Sequence, residues 1–281
     1  MTALNRLLAK CLFLLFVACS TKNLPDGAIE LSGKIDETSG LAFFQNQFYT
    51  LNDSGGKAAL YAFDKNGKLL EKHKIKGAIN RDWEDIAQDS THFYIADTGN
   101  NFATRKDLTI YTVTTDFQLV DSIKINYSSQ TQFKKKKKNK YDAETLVAYG
   151  DSLLIFSKNR KSQKTQLYAF PKKGGRYTLE KIHTFDVNAL ITGGDYDPIK
   201  KLLILTGYLP DFTQYIFKAE NFQLNQLENV NLKRFQLPLK PAQIEAVKIL
   251  HDGSVWITSE GEGSNVPFLY PVNFNRLSTS K

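Results

Sequence analysis

The sequence predicts an all-β protein, a five-bladed β-propeller of four-stranded antiparallel blades, and three observations predict it. From Glu37 onward, short alternating or apolar runs are separated by turns of Asn, Asp, Gly and Lys. These runs recur in groups of four, roughly every fifty residues. No long stretch of this region keeps a helical period.

Each unit opens with a short segment: ETSGLAFF (37–44), DWEDIAQ (82–88), DAETLVAY (142–149), TGGDYDP (192–198) and QIEAVKIL (243–250). A tight turn follows. Then comes a strand rich in β-branched and aromatic residues: FYTLND (48–53), FYIADTG (93–99), LLIFSKN (153–159), LLILTGY (202–208) and VWITSEG (255–261). A polar loop leads to a third strand: LYAF, IYTV, LYAF, YIFK and LYPV. A turn such as DKNGK or PKKGGR leads to a fourth: LLEKHKI (69–75), VDSIKI (120–125), LEKIHTF (179–185) and VNLKRFQL (230–237). The register is regular. Ser39 to Asn52, Glu84 to Asp97 and Glu144 to Ser157 are each 13 residues apart, Gly194 to Thr206 is 12, and Glu245 to Ser259 is 14.

One such unit cannot bury both faces alone, so the units must stack around an axis. The fifth lacks a fourth strand, because the chain ends in NFNRLSTSK. The N-terminal segment AIELSGKI (28–35) is expected to supply it and close the ring, which also protects the edge strands. A six-bladed ring is the alternative architecture. The expected layout is a signal peptide over 1–18, a linker over 19–27, the propeller over 28–275 and a tail over 276–281.

In such a blade the first strand lines the central channel. Its start, the end of the second strand and the loop to the third all share one face. Aligning the strand starts gives the column Ser39, Glu84, Glu144, Gly194 and Glu245, with Glu37, Asp82, Asp142, Thr192 and Gln243 two residues earlier. Residues two apart on a strand point the same way. Three glutamates therefore converge on the axis, and Asp85 and Asp195 follow directly in their own blades. Clustered carboxylates repel by on the order of a few kcal/mol at an effective dielectric near 20. A raised pKa, a bound cation, or Lys and Arg must offset that. Oxygen-only surroundings suit Ca²⁺, so Glu84, Asp85, Glu144 and Glu245 are candidate calcium ligands. Asp53, Asp97, Asn100, Asn101, Lys158, Arg160 and Glu260, at the second-strand ends, are candidate ligand-binding residues on the same face. The competing reading is structural: inner-strand acids that accept hydrogen bonds from the backbone of the neighbouring blade. Trp83 alternates with Asp82 and Glu84 and is expected to pack between blades, and Trp256 reads as core. The pair Gly193-Gly194 either leaves room for a ligand or allows close backbone approach.

The head of the chain carries Arg6 and Lys10, then the apolar run CLFLLFVA, too short to span a bilayer. FVAC follows at 16–19 and resembles a lipobox, which makes Cys19 the expected site of lipid attachment. Only Cys11 and Cys19 occur, so the later sequence holds no disulfide, thiolate metal site or cysteine nucleophile. The expected setting is a bacterial cell envelope, with the protein held extracytoplasmically on a membrane by its lipid.

The net charge of +8 is local. Removing Arg6 and Lys10 leaves +6, and removing the six lysines of KKKKKNK (134–140) leaves zero. A balanced fold argues against a nucleic-acid partner. The lysine run reads as a solvated, mobile loop, or as a contact for an anionic membrane or partner. His73 and His183 fall on outer strands, and His92 and His251 lie on the face opposite the acids. There is no HExxH, GxSxG, P-loop or dinucleotide fingerprint.

ETSGLAF, LNDSGG, DWEDIA, ADTGNN, YDAETL and IFSKNR together resemble secreted bacterial β-propeller proteins, often lipoproteins, similar to the SdiA-regulated and phytase-like propeller families. The resemblance covers residues 37–170; GGDYDP and QIEAV match loosely. It implies an acidic face that holds Ca²⁺, with Glu84, Asp85 and Glu144 as channel residues. Phytase activity does not carry over, since those enzymes have six blades and a denser acidic site. The expected function is binding of a small molecule, glycan or protein at the acidic face. A calcium-dependent hydrolase of phosphoesters or lactones and a structural envelope component are the alternatives.

Overall fold

The structure is a computed structural model that describes residues 24–53, 55–240, 242–261 and 266–279. The expected signal peptide and Cys19 lie outside the described residues. A two-residue strand, β1 (Ile29–Glu30), comes first. Blade 1 contains β2 (Thr38–Phe44), β3 (Gln47–Asn52), β4 (Ala59–Phe63) and β5 (Leu69–Lys74). Blade 2 contains β6 (Asp85–Gln88), β7 (His92–Asp97), β8 (Leu108–Thr114) and β9 (Leu119–Tyr127). Blade 3 contains β10 (Ala143–Tyr149), β11 (Ser152–Ser157) and β12 (Thr165–Pro171); after β13 (Gly175–Leu179) it is completed by β14 (His183–Phe185). Blade 4 contains β15 (Leu190–Asp197), β16 (Leu202–Tyr208), β17 (Gln214–Ala219) and β18 (Lys233–Gln236). Blade 5 contains β19 (Ile244–Ile249), β20 (Val255–Ser259) and β21 (Phe268–Val272).

The ring has five blades, not six. β1 pairs antiparallel with β21, Ile29 opposite Leu269 and Glu30 opposite Phe268, and so supplies the fourth strand of blade 5. The inner strands β2, β6, β10, β15 and β19 touch in sequence around the axis. One feature departs from the repeat. The segment GRYTL, which the sequence suggests as the end of a turn, is β13, and it leaves blade 3 to pair in parallel with β9 of blade 2.

The alternation of each strand explains where the core sits. Apolar side chains on facing sheets interdigitate, and a separate buried cluster fills each of the five gaps between blades. Trp83 is fully buried between blades 1 and 2 with Leu51, Leu60, Ile86 and Phe93. Trp256 is partly buried and lies against Phe48, ring centroids 5.6 Å apart, where blade 5 meets blade 1. Burying one side chain of the size of Phe156 contributes about 1.5–3 kcal/mol, so the gaps between blades carry the stability.

β1 runs from the lower face, that of the β2–β3 and β6–β7 turns, toward the upper face, where the inner strands begin. A turn precedes it, the Ala28 amide donating to the Pro25 carbonyl at 3.0 Å. The loop between β7 and β8 (residues 98–107) and the connection between β9 and β10 (residues 128–142) both lie on the upper face. The lysine run within the latter is tied down rather than free: the Lys136 amide donates to the Phe102 carbonyl at 2.9 Å, and the buried Asn139 side chain donates to the carbonyls of Asn101 and Lys136.

Candidate functional site

The inner strands bring the acids together through a repeated irregularity. β10 shifts register between Ala143 and Thr145, β15 between Ile191 and Gly193, and β19 between Ile244 and Ala246. The skipped residues are Glu144, Thr192 and Glu245. A bulge leaves its extra residue unpaired and re-aims its side chain; here the side chains turn to the axis. Thr192, rather than Gly194, is thus the blade 4 counterpart of Glu144 and Glu245. Gly193 and Gly194 provide close approach: a Cβ on Gly193 would lie 2.9 Å from the Glu245 carbonyl oxygen, and one on Gly194 would lie 2.8 Å from Thr145 Cγ2. In blade 2, Glu84 precedes β6 and its amide donates to the Ala96 carbonyl at 2.8 Å.

A second tier comes from residues at or just past the end of each second strand: Asp53, Thr98, Lys158, Tyr208 and Glu260. Lys158 Nζ pairs with Glu144 Oε2 and lies 3.8 Å from Glu245 Oε1. It also stands 5.0 Å from the centroid of the Tyr208 ring. Arg160 pairs with Asp142 Oδ2 and comes within 3.3 Å of Glu144 Oε1, so its guanidinium joins the two acids. Carboxylate oxygens of Glu84, Asp142 and Glu144 lie within 4.8 Å of one another, and so do those of Asp53, Asp82 and Glu84. Glu84 belongs to both groups. It is 3% exposed, and its Oε1 has no hydrogen-bond partner. Gly99 closes over this point, since a Cβ there would overlap Glu84 Oε1 and Asp82 Oδ2.

Burial sets the electrostatics. It raises the Glu84 carboxyl well above its ordinary pKa, and Glu144, Asp53 and Asp82 add to the rise. Burial likewise raises Glu144, against the pull of Lys158, and raises Glu245, against Lys158 and Arg160. Asp82 is raised by burial too. Burial, then Glu245 and Asp53, push Glu260 up to about 9. On Lys158 burial works against the charge, but Glu144 and Glu245 more than reverse this and hold its pKa well above the ordinary value. The hub therefore gathers Asp53, Asp82, Glu84, Asp142, Glu144, Glu245 and Glu260 around Lys158 and Arg160, with acids in excess.

Of the candidate calcium ligands, Glu84 and Glu144 share a group; Glu245 sits on the far side of Lys158. Asp85 is elsewhere. Its Oδ2 accepts the Leu146 amide of blade 3 at 2.8 Å and its Oδ1 accepts the Ile86 amide at 2.7 Å, so it ties two inner strands together. Asp195 does the same between blades 4 and 5, accepting the Ile249 amide at 2.8 Å. These two fit the structural reading of the inner-strand acids.

Of the candidate ligand-binding residues, Asp97 is buried, pairs with Arg105 at 3.1 Å and accepts the Asp82 amide at 2.9 Å. Buried Asn100 donates its amide to Asp142 at 2.7 Å and accepts the Arg105 amide. Both brace the 98–107 loop. Asn101 is exposed on that loop, and Asp53 is half-buried at the hub. Glu260 is half-buried there too, accepting from the Gln243 side chain at 3.0 Å. Sequence reasoning missed Tyr208, Gly99 and Arg105. Tyr208 was within reach, because it occupies the same place after its strand as Lys158 and Glu260. Phe212, 38% exposed, stacks on Tyr208 with centroids 5.7 Å apart, and Phe102 is also 38% exposed. Both aromatics flank the hub on the upper face.

No family model matches the chain, and no curated protein matches it in sequence. Solved structures do. An exo-β-1,3-galactanase from Phanerochaete chrysosporium is similar over 90% of this chain and 63% of its own, at 11% identity and TM-score 0.52. The likeness is one of fold. An intramolecular trans-sialidase from Ruminococcus gnavus is similar over 83% of this chain and 52% of its own, at 10% identity and TM-score 0.48. This chain thus spans between half and two thirds of the length of these enzymes.

Proposed function

We propose that the protein is a lipid-anchored binding module of the bacterial envelope, whose upper face takes up a ligand around a hub that holds a cation. The observation that carries the reading is Glu84: its Oε1 is buried without a partner, and its carboxylate belongs to both acidic groups. Such an atom costs about 1–3 kcal/mol, more when charged, unless a proton or cation satisfies it. The donors fit a hard cation, being carboxylate oxygens alone. Ca²⁺ bound there would supply positive charge at the axis, drawing the starts of the blade 2 and blade 3 inner strands and the end of β3 toward one point. Glu84, Asp142 and Glu144, or Asp53, Asp82 and Glu84, would hold it.

Binding is favoured over catalysis by depth. Glu84, Glu144, Glu245 and Lys158 are each 5% exposed or less, whereas Phe212, stacked on Tyr208, stands out beside them. A ligand meets the aromatic rim and the loops before it meets the carboxylates. The hydrolytic alternative rests on Glu260, half-buried and held protonated at neutral pH, as a candidate general acid.

Calcium titrated into chelator-treated protein is expected to raise the melting temperature. Glu84→Gln, which keeps the shape and removes the charge, is expected to abolish most of that rise. An unchanged melting temperature, with no metal in the purified protein, would remove the cation from the proposal. For the anchor, Cys19→Ser is expected to shift the protein from the membrane fraction to the soluble one; equal partitioning would count against lipidation.

A further inference from the structure

The geometry points to the lysine ridge on the upper face as a docking site for an acidic glycan, a polymer bearing uronate or sulfate groups. This deepens the binding reading above and rests on it. Lys134, Lys135, Lys136, Lys137 and Lys138 are all exposed, and the backbone of the middle one, Lys136, is anchored at both its amide and its carbonyl. The Lys136 amide is bonded to Phe102, Asn139 clamps both strands of the contact, and Tyr141 Oη donates to the Ser129 carbonyl at 2.7 Å. Lys135 Nζ lies 4.5 Å from the centroid of Phe102, and Lys106 Nζ lies 4.9 Å from that of Phe133. A charged run that packs on Phe102 and a buried asparagine is a built surface, unlike a tail that spreads to relieve its own repulsion. Holding five consecutive lysines in one segment concentrates positive potential, which a polyanion would offset.

The kind of polyanion follows from the residue types. The ridge is lysine without arginine, so it offers hydrated point charges and no bidentate fork for phosphate or base edges. Its two phenylalanines already carry a lysine each, which leaves no open platform for stacking bases. Lysine is depleted from protein–protein interfaces, where desolvation penalises it. A flexible, hydrated chain of spaced carboxylates or sulfates fits what remains.

The test uses the full chain in EDTA, with polygalacturonate oligosaccharides as the probe and calorimetric titration as the readout. Binding is expected at low salt and is expected to weaken by at least about tenfold at high salt, as screening of exposed charges requires. Lys134→Gln/Lys137→Gln/Lys138→Gln removes three lysines that make none of the contacts above. It is expected to weaken binding by about tenfold, at an unchanged melting temperature. Lys200→Gln/Lys201→Gln on the lower face is expected to bind as the unaltered protein does. No binding at low salt, equal binding by the triple variant, or stronger binding to phosphatidylglycerol vesicles or single-stranded DNA would overturn the proposal. Because EDTA is present throughout, glycan binding without calcium stabilisation would sink the cation at the hub and keep the ridge. Calcium stabilisation without glycan binding would do the reverse.

Discussion

Lys158→Met is expected to lower stability by about 3–5 kcal/mol, a fall in melting temperature on the order of 10 °C for a domain of this size. The methionine keeps most of the stem and removes the ammonium from between the two acids and from beside the Tyr208 ring, so the loss reports the charge. Lys158 Nζ stands between Glu144 and Glu245, with all three side chains almost completely buried. Removing it leaves two carboxylates facing each other with Arg160 as compensation on one side. The variant is also expected to recover stability on acidification, since protons take over the role of the ammonium. Lys164→Met is the contrast. Lys164 pairs with Asp186 at 2.7 Å, but both side chains are substantially exposed, and such pairs contribute about 0–1 kcal/mol. Equal melting temperatures for the two variants would show that Lys158 does not hold the hub together.

In the absence of divalent cations, stability is expected to fall as pH rises from about 5 to about 9. Glu260 is raised to about 9 in the folded state, whereas an unfolded chain ionises it near 4.3. Between those values the folded state holds a proton that the unfolded state has released, so raising the pH favours unfolding. Glu84, Glu144, Glu245 and Asp82 are displaced in the same direction and add to the trend. The loss is on the order of a few kcal/mol, at about 1.4 kcal/mol for each unit of pKa displacement. Calcium is expected to counter it, and by more at pH 8.5 than at pH 5.5, because the metal must displace those protons. Melting curves across this range, with and without calcium, check both statements. A flat apo profile would mean that the acids are already ionised and fully compensated by Lys158, Arg160 and Arg105.

Strand order was legible because period-two alternation and turn residues mark each blade independently, and five repetitions reinforce one another. The closing strand was legible by need, since blade 5 had no fourth strand of its own. The convergence of Glu84, Glu144 and Glu245 followed from the same repetition. The sequence count failed where backbone irregularity altered it. Blades 4 and 5 have longer turns after their inner strands than blades 1 to 3 have, so counting back from Thr206 with the shorter spacing placed Gly194 at the axis in place of Thr192. Asp85 and Glu84 are adjacent, and alternation sends them to opposite sides: Glu84 joins the hub while Asp85 holds the Leu146 amide of blade 3, a split that reading the acids as one cluster hid. The position of GRYTL in blade 2 was hidden because its partner, β9, lies in another unit. Gly99 carries no side-chain signal at all; its meaning lies in the two carboxylates pressed against its backbone.

The clasp between the head of the chain and its last blade sets an order of events during synthesis. Glu30 emerges from the ribosome early, but its partner Phe268 follows only 238 residues later. Until then the ring must stand open, with β1 unpaired and the apolar face of blade 1 that later meets blade 5 unguarded. A contact of such long range is intrinsically slow to form, so the nascent protein passes through a half-finished state that lasts until β21 has been made.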